Sequence, residues 1–336
     1  MKGSRFVPGI AFLVAGAVLV WYVAPIIGAT DLLLAIAFGF VFANVLGVPD
    51  RLMAGIGTHQ YWLGAGIVLM GVSISLGALR EAGLLVLLII GLVVLATLLL
   101  VEVIARRLFD LDHHLASLLA AGSSICGVSA IVAVADAIRA RESAIAYAAA
   151  TILLFDAITI VVYPVLGQVL GLSSQVFGIW AGVSMFSTGP VVAVGFAHSD
   201  VAGQWATMTK LARNALIGVV VLAYVSYYAR SGTASASSKT GGLLGSARTL
   251  WREFPTFVLG FLAIAVLANL GAFSTDQQAA LEQTYDWLFL LAFVGLGTEI
   301  RLAQLRRTGL TPALVVLIVL CCVSVLSLAL LVVVLP

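Results

Sequence analysis

The chain has 336 residues, of which 62% are hydrophobic and 10% are charged, and its mean hydropathy is +1.17. A soluble domain of this size carries about 25% charged residues, so these values exclude a soluble globular protein. The formal net charge of +2 gives no reason to expect a nucleic-acid partner. Cys126, Cys321 and Cys322 have neither metal-site nor disulfide spacing, and we expect no metal and no cofactor.

Apolar blocks long enough to cross a bilayer core of ~30 Å recur along the whole chain. They predict an all-α polytopic membrane protein with about nine transmembrane helices, a multi-pass protein of the cell membrane. Two further apolar segments, 113–140 and 175–199, are each broken near the middle by small polar residues and glycines. The predicted spans are 7–27, 30–48, 61–79, 83–105, 144–168, 203–229, 254–272, 282–300 and 309–334.

Loop charges decide between two arrangements of the broken segments, because lysine and arginine concentrate in cytoplasmic loops. If both segments are re-entrant hairpins, Arg80 is the one loop arginine that falls outside. If both segments cross the membrane, Arg139 and Arg141 also fall outside. The charges therefore favour re-entrant hairpins, a cytoplasmic N-terminus and an external C-terminus.

A Ser/Gly-rich stretch at 230–253 predicts a cytoplasmic linker between two parts of the chain. The part before it, 1–229, is an N-terminal bundle that contains both broken segments. The part after it, 254–336, is a C-terminal three-helix unit that repeats 30–105.

That repeat can be read directly from two sequence stretches. "GVSISLGALREAGL" (71–84) and "GTEIRLAQLRRTGL" (297–310) match at glycine, isoleucine, leucine and arginine positions with a constant offset. The spans before them end alike, at Asn44 and Asn269. With re-entrant hairpins, an odd number of crossings separates the two copies, so they run in opposite directions.

The broken segments form a second matching pair, with "SAIVAV" (129–134) corresponding to "GPVVAV" (189–194). Under the same topology, these two hairpins enter from opposite sides of the membrane. Inverted repeats whose broken helices meet near the midplane are typical of secondary transporters.

Glycine-rich breaks inside a bilayer expose backbone groups that need polar partners. Two helix N-termini that face a common point would form an anion site. Close helix packing through small residues is the alternative interpretation, and the sequence leaves it open. The candidate substrate-binding residues are Ser123, Ser124, Cys126, Gly127, Ser187, Thr188, Gly189, Lys210, Arg213 and Asn214.

Ionisable residues inside predicted spans mark functional candidates, because a charge in the bilayer is costly. Lys210 and Arg213 are three residues apart, so they share a helix face that we expect to hold the anion. Asp156 is the candidate coupling-ion residue, titrating or pairing with Lys210 or Arg213, and a structural Asp–Arg pair remains open. Glu299 is the second coupling candidate, and pairing with Arg301 is its alternative.

The stretches "GSSICGVSAIVAV", "KLARNALIGVVV" and "GLGTEIRLAQLRRTG" resemble the YeiH family of bacterial and archaeal membrane proteins. The resemblance covers nearly the whole chain and implies a transporter with inverted repeats and broken helices. It also implies export of sulfate or a related sulfur oxyanion or sulfonate. The residues that the resemblance implies for the substrate site are Gly122, Ser123, Ser124, Cys126, Gly127, Lys210 and Arg213.

One departure from that family lies at the second break, where Met185, Phe186 and Ser187 stand in place of a titratable His-Glu pair. Coupling at Asp156 would compensate for this loss. The sequence therefore predicts a secondary-active exporter of a small anion that works by alternating access in the lipid bilayer, as a homodimer by fold analogy. The alternatives are a passive anion channel and a cation/proton antiporter that uses Asp156. An enzyme is not expected, since no histidine lies near the candidate nucleophiles.

Overall fold

A computed structural model describes residues 5–74, 76–230, 255–305 and 309–335 of the chain. All regular structure in these residues is helical, which confirms the all-α fold class. The principal helices are α1 (Val7–Ile27), α2 (Asp31–Val41), α3 (Asp50–Ile56), α4 (His59–Met70), α5 (Leu76–Val103), α6 (His113–Ser124), α7 (Val128–Ile138), α8 (Glu142–Val169), α9 (Ser174–Ser184), α10 (Thr188–His198), α11 (Asp200–Asn214), α12 (Ile217–Arg230), α13 (Thr256–Asn269), α14 (Thr275–Glu299), α15 (Leu302–Leu305) and α16 (Leu310–Val334).

Several of these helices are long and apolar enough to cross a membrane, so the chain is a multi-pass membrane protein. The described residues contain five such candidates: Val7–Ile27, Gly83–Leu108, Glu142–Val169, Asp200–Tyr228 and Leu310–Val334. Shorter apolar helices accompany them, at Asp31–Leu46, Val128–Ile138 and Thr256–Asn269.

Three details differ from the predicted spans. The predicted boundary at 80–82 is wrong, because α5 runs through it and the chain breaks earlier, at Ile74. The span predicted at 203–229 corresponds to the candidate span Asp200–Tyr228, but it contains a short turn between α11 and α12 that was not predicted. The short helix α3 was not predicted, because a helix of seven residues leaves little periodicity in a sequence this apolar.

Local capping explains where several helices begin. The Asp112 side chain accepts hydrogen bonds from the backbone N–H groups of His114 and Leu115, which starts α6. Ser274 and Gln277 form a reciprocal capping box at the start of α14. These caps satisfy N–H groups that lack partners within the helix.

The chain forms two compact units that alternate along the sequence. The first unit comprises the described residues within Met1–Gly83, Val192–Gln204 and Thr256–Ala303. The second comprises those within Leu84–Val191, Trp205–Pro255 and Gln304–Pro336. The predicted linker lies outside the described residues except for Arg230, so the division of the chain at the linker stays a prediction. Arg306 of the repeated motif also lies outside the described residues.

In the first unit, two asparagines at equivalent repeat positions make the same contacts. Asn44 Nδ2 donates to Ile300 O at 2.7 Å and to Phe40 O, four residues earlier in the chain, at 2.8 Å. Asn269 Nδ2 donates to Ile74 O at 2.7 Å and to Ala265 O, also four residues earlier, at 2.8 Å. Each asparagine thus satisfies the carbonyl at the break in the other copy, and we call these paired contacts the asparagine clasp.

The equivalent helices α4 and α14 pack antiparallel. His59 of α4 lies against Gly295, and Gly66 lies against Phe289. Ser73, just beyond α4, contacts the Tyr285 hydroxyl at 3.2 Å. Residue numbers rise along α4 while those of its neighbours on α14 fall, so the two copies run in opposite directions. This arrangement confirms the inverted repeat for this pair.

In the second unit, α6 and α7 fold against each other at their break. Gly122 and Ile131 are nine residues apart, yet a Cβ on Gly122 would lie 2.9 Å from Ile131 Cγ1. Nine residues of continuous helix would separate them by ~13.5 Å. Each helix is also too short to cross a bilayer core alone. The segment 113–140 is therefore a folded helix pair. Whether the segment 175–199 folds in the same way stays a prediction.

Candidate functional site at the helix breaks

The two breaks in the second unit touch each other. Gly127 follows the first break with φ of +70°, a conformation that favours glycine. A Cβ at this position would lie 2.1 Å from Ser187 Oγ in the second break. Gly127 therefore allows both the turn into α7 and the close contact between the breaks.

Lys210 on α11 connects the two breaks through their backbone carbonyls. Its ammonium donates to Ile125 O of the first break at 2.8 Å, and to Met185 O at 3.1 Å and Phe186 O of the second break. The Lys210 side chain is fully buried. An ammonium group has three protons, so these three acceptors use all of its donor capacity.

Arg213 joins the same two breaks one turn further along α11. Its guanidinium donates to Ser123 O and Ser124 O at the end of α6. It also donates to Met185 O beyond the end of α9, at 2.7 Å. The last carbonyls of a helix lack partners within the helix and carry partial negative charge. Lys210 and Arg213 therefore cap the C-terminal ends of α6 and α9.

Asp156 of α8 contacts the N-terminal end of a helix, whereas Lys210 and Arg213 contact C-terminal ends. Its Oδ1 accepts a hydrogen bond at 3.1 Å from the backbone N–H of Ser187, directly before α10. Its Oδ2 is buried and has no hydrogen-bond partner among the described residues. The Asp156 side chain is only 3% exposed, so this oxygen is shielded from bulk water and no hydrogen bond from a described residue replaces the water.

The same helix end holds a second polar contact. Asn214 Nδ2 donates to the Thr188 hydroxyl at 2.9 Å. Asn214 Oδ1 and Ser123 Oγ are buried without a hydrogen-bond partner among the described residues. Unsatisfied buried polar atoms mark places where a solute or a water molecule could bind.

The structure brings most of the predicted site residues together, but with unexpected partners. The predicted ion pair of Asp156 with Lys210 or Arg213 is absent from the described residues, because the helix-end carbonyls and the Ser187 N–H take these side chains instead. Glu299 lies in the first unit, 3.5 Å from His59 Nε2. The residues gathered at the breaks are Ser123, Ser124, Cys126, Gly127, Asp156, Ser187, Thr188, Gly189, Lys210, Arg213 and Asn214.

Sequence reasoning missed a polar cluster that holds the end of α9. Tyr163 of α8 donates to Ser184 Oγ at 2.9 Å and contacts Ser324 Oγ at 2.5 Å. Trp180 Nε1 donates to Ser324 O at 2.9 Å. The one signal was a tyrosine inside an apolar span, and that signal is weak because tyrosines are common near membrane interfaces.

The helical fold, the apolar spans and the broken helices define a polytopic membrane protein. The family model of conserved hypothetical protein 698 matches residues 8–316. A UPF0324 membrane protein of Nitratidesulfovibrio vulgaris is 32% identical over 91% of this chain and 87% of the relative. Relatives of the same description come from Streptococcus pyogenes serotype M3, at 31% identity over 91% of this chain and 90% of the relative, and from Bacillus cereus, at 28% over 97% and 94%.

The chain belongs to this family of UPF0324 membrane proteins, which confirms the resemblance to the YeiH family. No solved structure matches the chain.

Proposed function

We propose that the chain is a secondary-active transporter that exports a small anion, sulfate or a related sulfur oxyanion or sulfonate, by alternating access. The proposal rests on the contact between two broken segments around buried charges, an arrangement used by secondary transporters. Direct contact of the anion with Lys210 or Arg213 would require these groups to release backbone carbonyls.

The observation that carries the proposal is the carboxylate at the start of α10. Asp156 Oδ1 already binds the Ser187 N–H, so this helix end accepts a carboxyl oxygen inside the protein. A substrate oxyanion has the same chemistry and would bind there when the carboxylate moves away. Asp156 then becomes the coupling group, because its ionisation decides whether the helix end is occupied.

Counterflow in proteoliposomes tests the proposal directly. Vesicles preloaded with unlabelled sulfate, sulfite, thiosulfate or a small sulfonate should accumulate the matching labelled anion with saturation. A channel would show neither saturation nor counterflow, and that result would overturn the carrier mechanism. Thermal unfolding of the purified protein should also shift upwards with the transported anion, because a ligand that binds the folded state stabilises it.

The free carboxylate oxygen favours one other candidate, a cation/proton antiporter. Asp156 Oδ2 is buried and unpartnered among the described residues, as a carrier site for a proton or Na⁺ would require. An Asp156→Asn variant separates the two. Anion counterflow that survives in this variant excludes the antiporter, whereas Na⁺/H⁺ exchange by wild type without any anion would replace our proposal. Glu299→Gln is the matched control, since it makes the same chemical change in the first unit.

The proposal also includes a cytoplasmic N-terminus, an external C-terminus, a homodimer and no enzymatic step. The positive-inside distribution of lysine and arginine supports the orientation. Labelling of single cysteines introduced at each end with a membrane-impermeant reagent tests it. Labelling of the N-terminal position from outside intact cells would reverse the orientation.

A further inference from the structure

A cavity of about 460 Å³ lies within the second unit between α5 and α12, away from the helix breaks. Pockets that bind small molecules have similar volumes, ~300–1,000 Å³. The lining residues are Leu95, Leu98, Leu99, Glu102, Val103, Arg106, Arg107, Val220, Ala223, Tyr224 and Tyr227.

The polarity of this cavity changes from one end to the other. Leu95, Leu98 and Leu99 line its apolar end, and Leu95 and Leu99 are more than half exposed. On a transmembrane helix, exposed leucines face lipid chains. Glu102 and Arg106 lie one and two turns further along the same helix, so the other end is polar. A molecule that fits this cavity must be an amphiphile.

The polar end is held rigid by an ion pair. Arg106 Nε lies 2.5 Å from Glu102 Oε2, and the same guanidinium donates to the Tyr227 hydroxyl at 2.8 Å. Tyr224 donates to Glu102 Oε1 at 2.8 Å. Arg106 and Glu102 thus neutralise each other and use much of their hydrogen-bonding capacity on protein partners.

Arg107 differs from Arg106 in having no such partner. Its side chain is exposed at the cavity, and no ion pair or hydrogen bond holds it among the described residues. A wide π-helical turn at Ile104–Leu108 ends the helix here, and both arginines line the cavity. The polar end therefore has a net charge of +1 from Arg107, after Glu102 and Arg106 cancel.

We propose that this cavity is a binding site for an anionic phospholipid. Its phosphate headgroup binds Arg107, with the Tyr227 hydroxyl at the same end, and one acyl chain lies along Leu95, Leu98 and Leu99. Basic pockets between transmembrane helices on the cytoplasmic side favour anionic headgroups. The predicted topology places Arg107 on that side. The site is separate from the transport site, so each proposal can fail alone.

Native mass spectrometry of the full-length, detergent-purified protein tests this assignment with phosphatidylglycerol and phosphatidylcholine of identical acyl chains. Wild type should retain phosphatidylglycerol preferentially. Arg107→Gln should weaken its apparent affinity by ~5-fold, since one basic residue near a lipid surface contributes about 1 kcal/mol. Arg141→Gln is the matched control, because it removes an exposed arginine predicted on the same side, outside the cavity.

A second variant blocks the cavity without changing its charge. Ala223→Trp should fill the cavity and reduce retention of phosphatidylglycerol to the level of phosphatidylcholine. Equal retention of the two lipids by wild type would overturn the proposal. An equal loss of affinity for phosphatidylglycerol in Arg107→Gln and Arg141→Gln would also overturn the proposal, because general surface charge would then explain the binding.

Discussion

The two units satisfy the backbone at their breaks with different chemistry. In the first unit, neutral amides of Asn44 and Asn269 each donate to one carbonyl of the other repeat copy. In the second unit, Lys210 and Arg213 supply positive charges to the carbonyls of both breaks. A neutral amide is sufficient to hold a break in place. A buried charge costs far more than an amide, so we expect the functional role in the second unit rather than in the first.

Removing a cation from the second unit should have the largest effect. Arg213→Met leaves the carbonyls of Ser123 and Ser124 without this donor, and we expect a loss of about 3 kcal/mol or more in folding stability. Thermal unfolding in detergent and abundance in membranes measure it.

Arg213→Lys is the control for charge alone. A lysine keeps the positive charge but lacks the planar fork that reaches both breaks, so its stability should fall between wild type and the methionine variant. An Arg213→Met protein as stable as wild type would show that the capping contacts contribute nothing.

The contact between the breaks should be the next most sensitive feature. Gly127→Ala forces an alanine to φ of +70° and places its Cβ 2.1 Å from Ser187 Oγ, so we expect a cost of about 3 kcal/mol. Thermal unfolding and anion counterflow both report on it.

Gly171 provides a matched control for the backbone strain. It has φ of +59°, but nothing lies within 4 Å of a Cβ built there. Gly171→Ala should therefore cost only about 1 kcal/mol. Equal effects at the two glycines would mean that the breaks do not press on each other as described.

The asparagine clasp should show intermediate and nearly equal effects at its two members. Asn44→Leu and Asn269→Leu each leave one inter-repeat carbonyl unsatisfied, at an expected cost of about 2 kcal/mol. Asn44 also accepts from the Leu302 N–H, so its loss should be slightly larger. Urea or thermal unfolding measures both, and a large effect at one position with none at the other would refute the symmetric role.

The sequence was sufficient for the helical class, the inverted pair α4 and α14, and the residues of the breaks, because hydropathy, matching motifs and buried charges are local signals. It was not sufficient for the partners of Lys210, Arg213 and Asp156. Each of the three binds backbone groups at the breaks, and backbone groups leave no mark in a sequence. The boundary near Arg80 was mispredicted for a different reason. A charged residue within a long apolar helix resembles a loop in the sequence.

The smallest effect is expected at Glu299, which gives the sharpest contrast between the units. Its carboxylate is 39% exposed and lies 3.5 Å from Nε2 of the buried His59, and a pair with one partner open to solvent contributes about 0–1 kcal/mol. Glu299→Gln keeps an oxygen that His59 can bond, so stability and anion counterflow should both remain near wild type. Asp156→Asn makes the same change where the carboxylate is buried on a helix end, and it should alter the dependence of transport on pH. If Glu299→Gln instead removed that dependence and Asp156→Asn did not, the coupling group would belong to the first unit, and charge burial would be a poor guide to function in this protein.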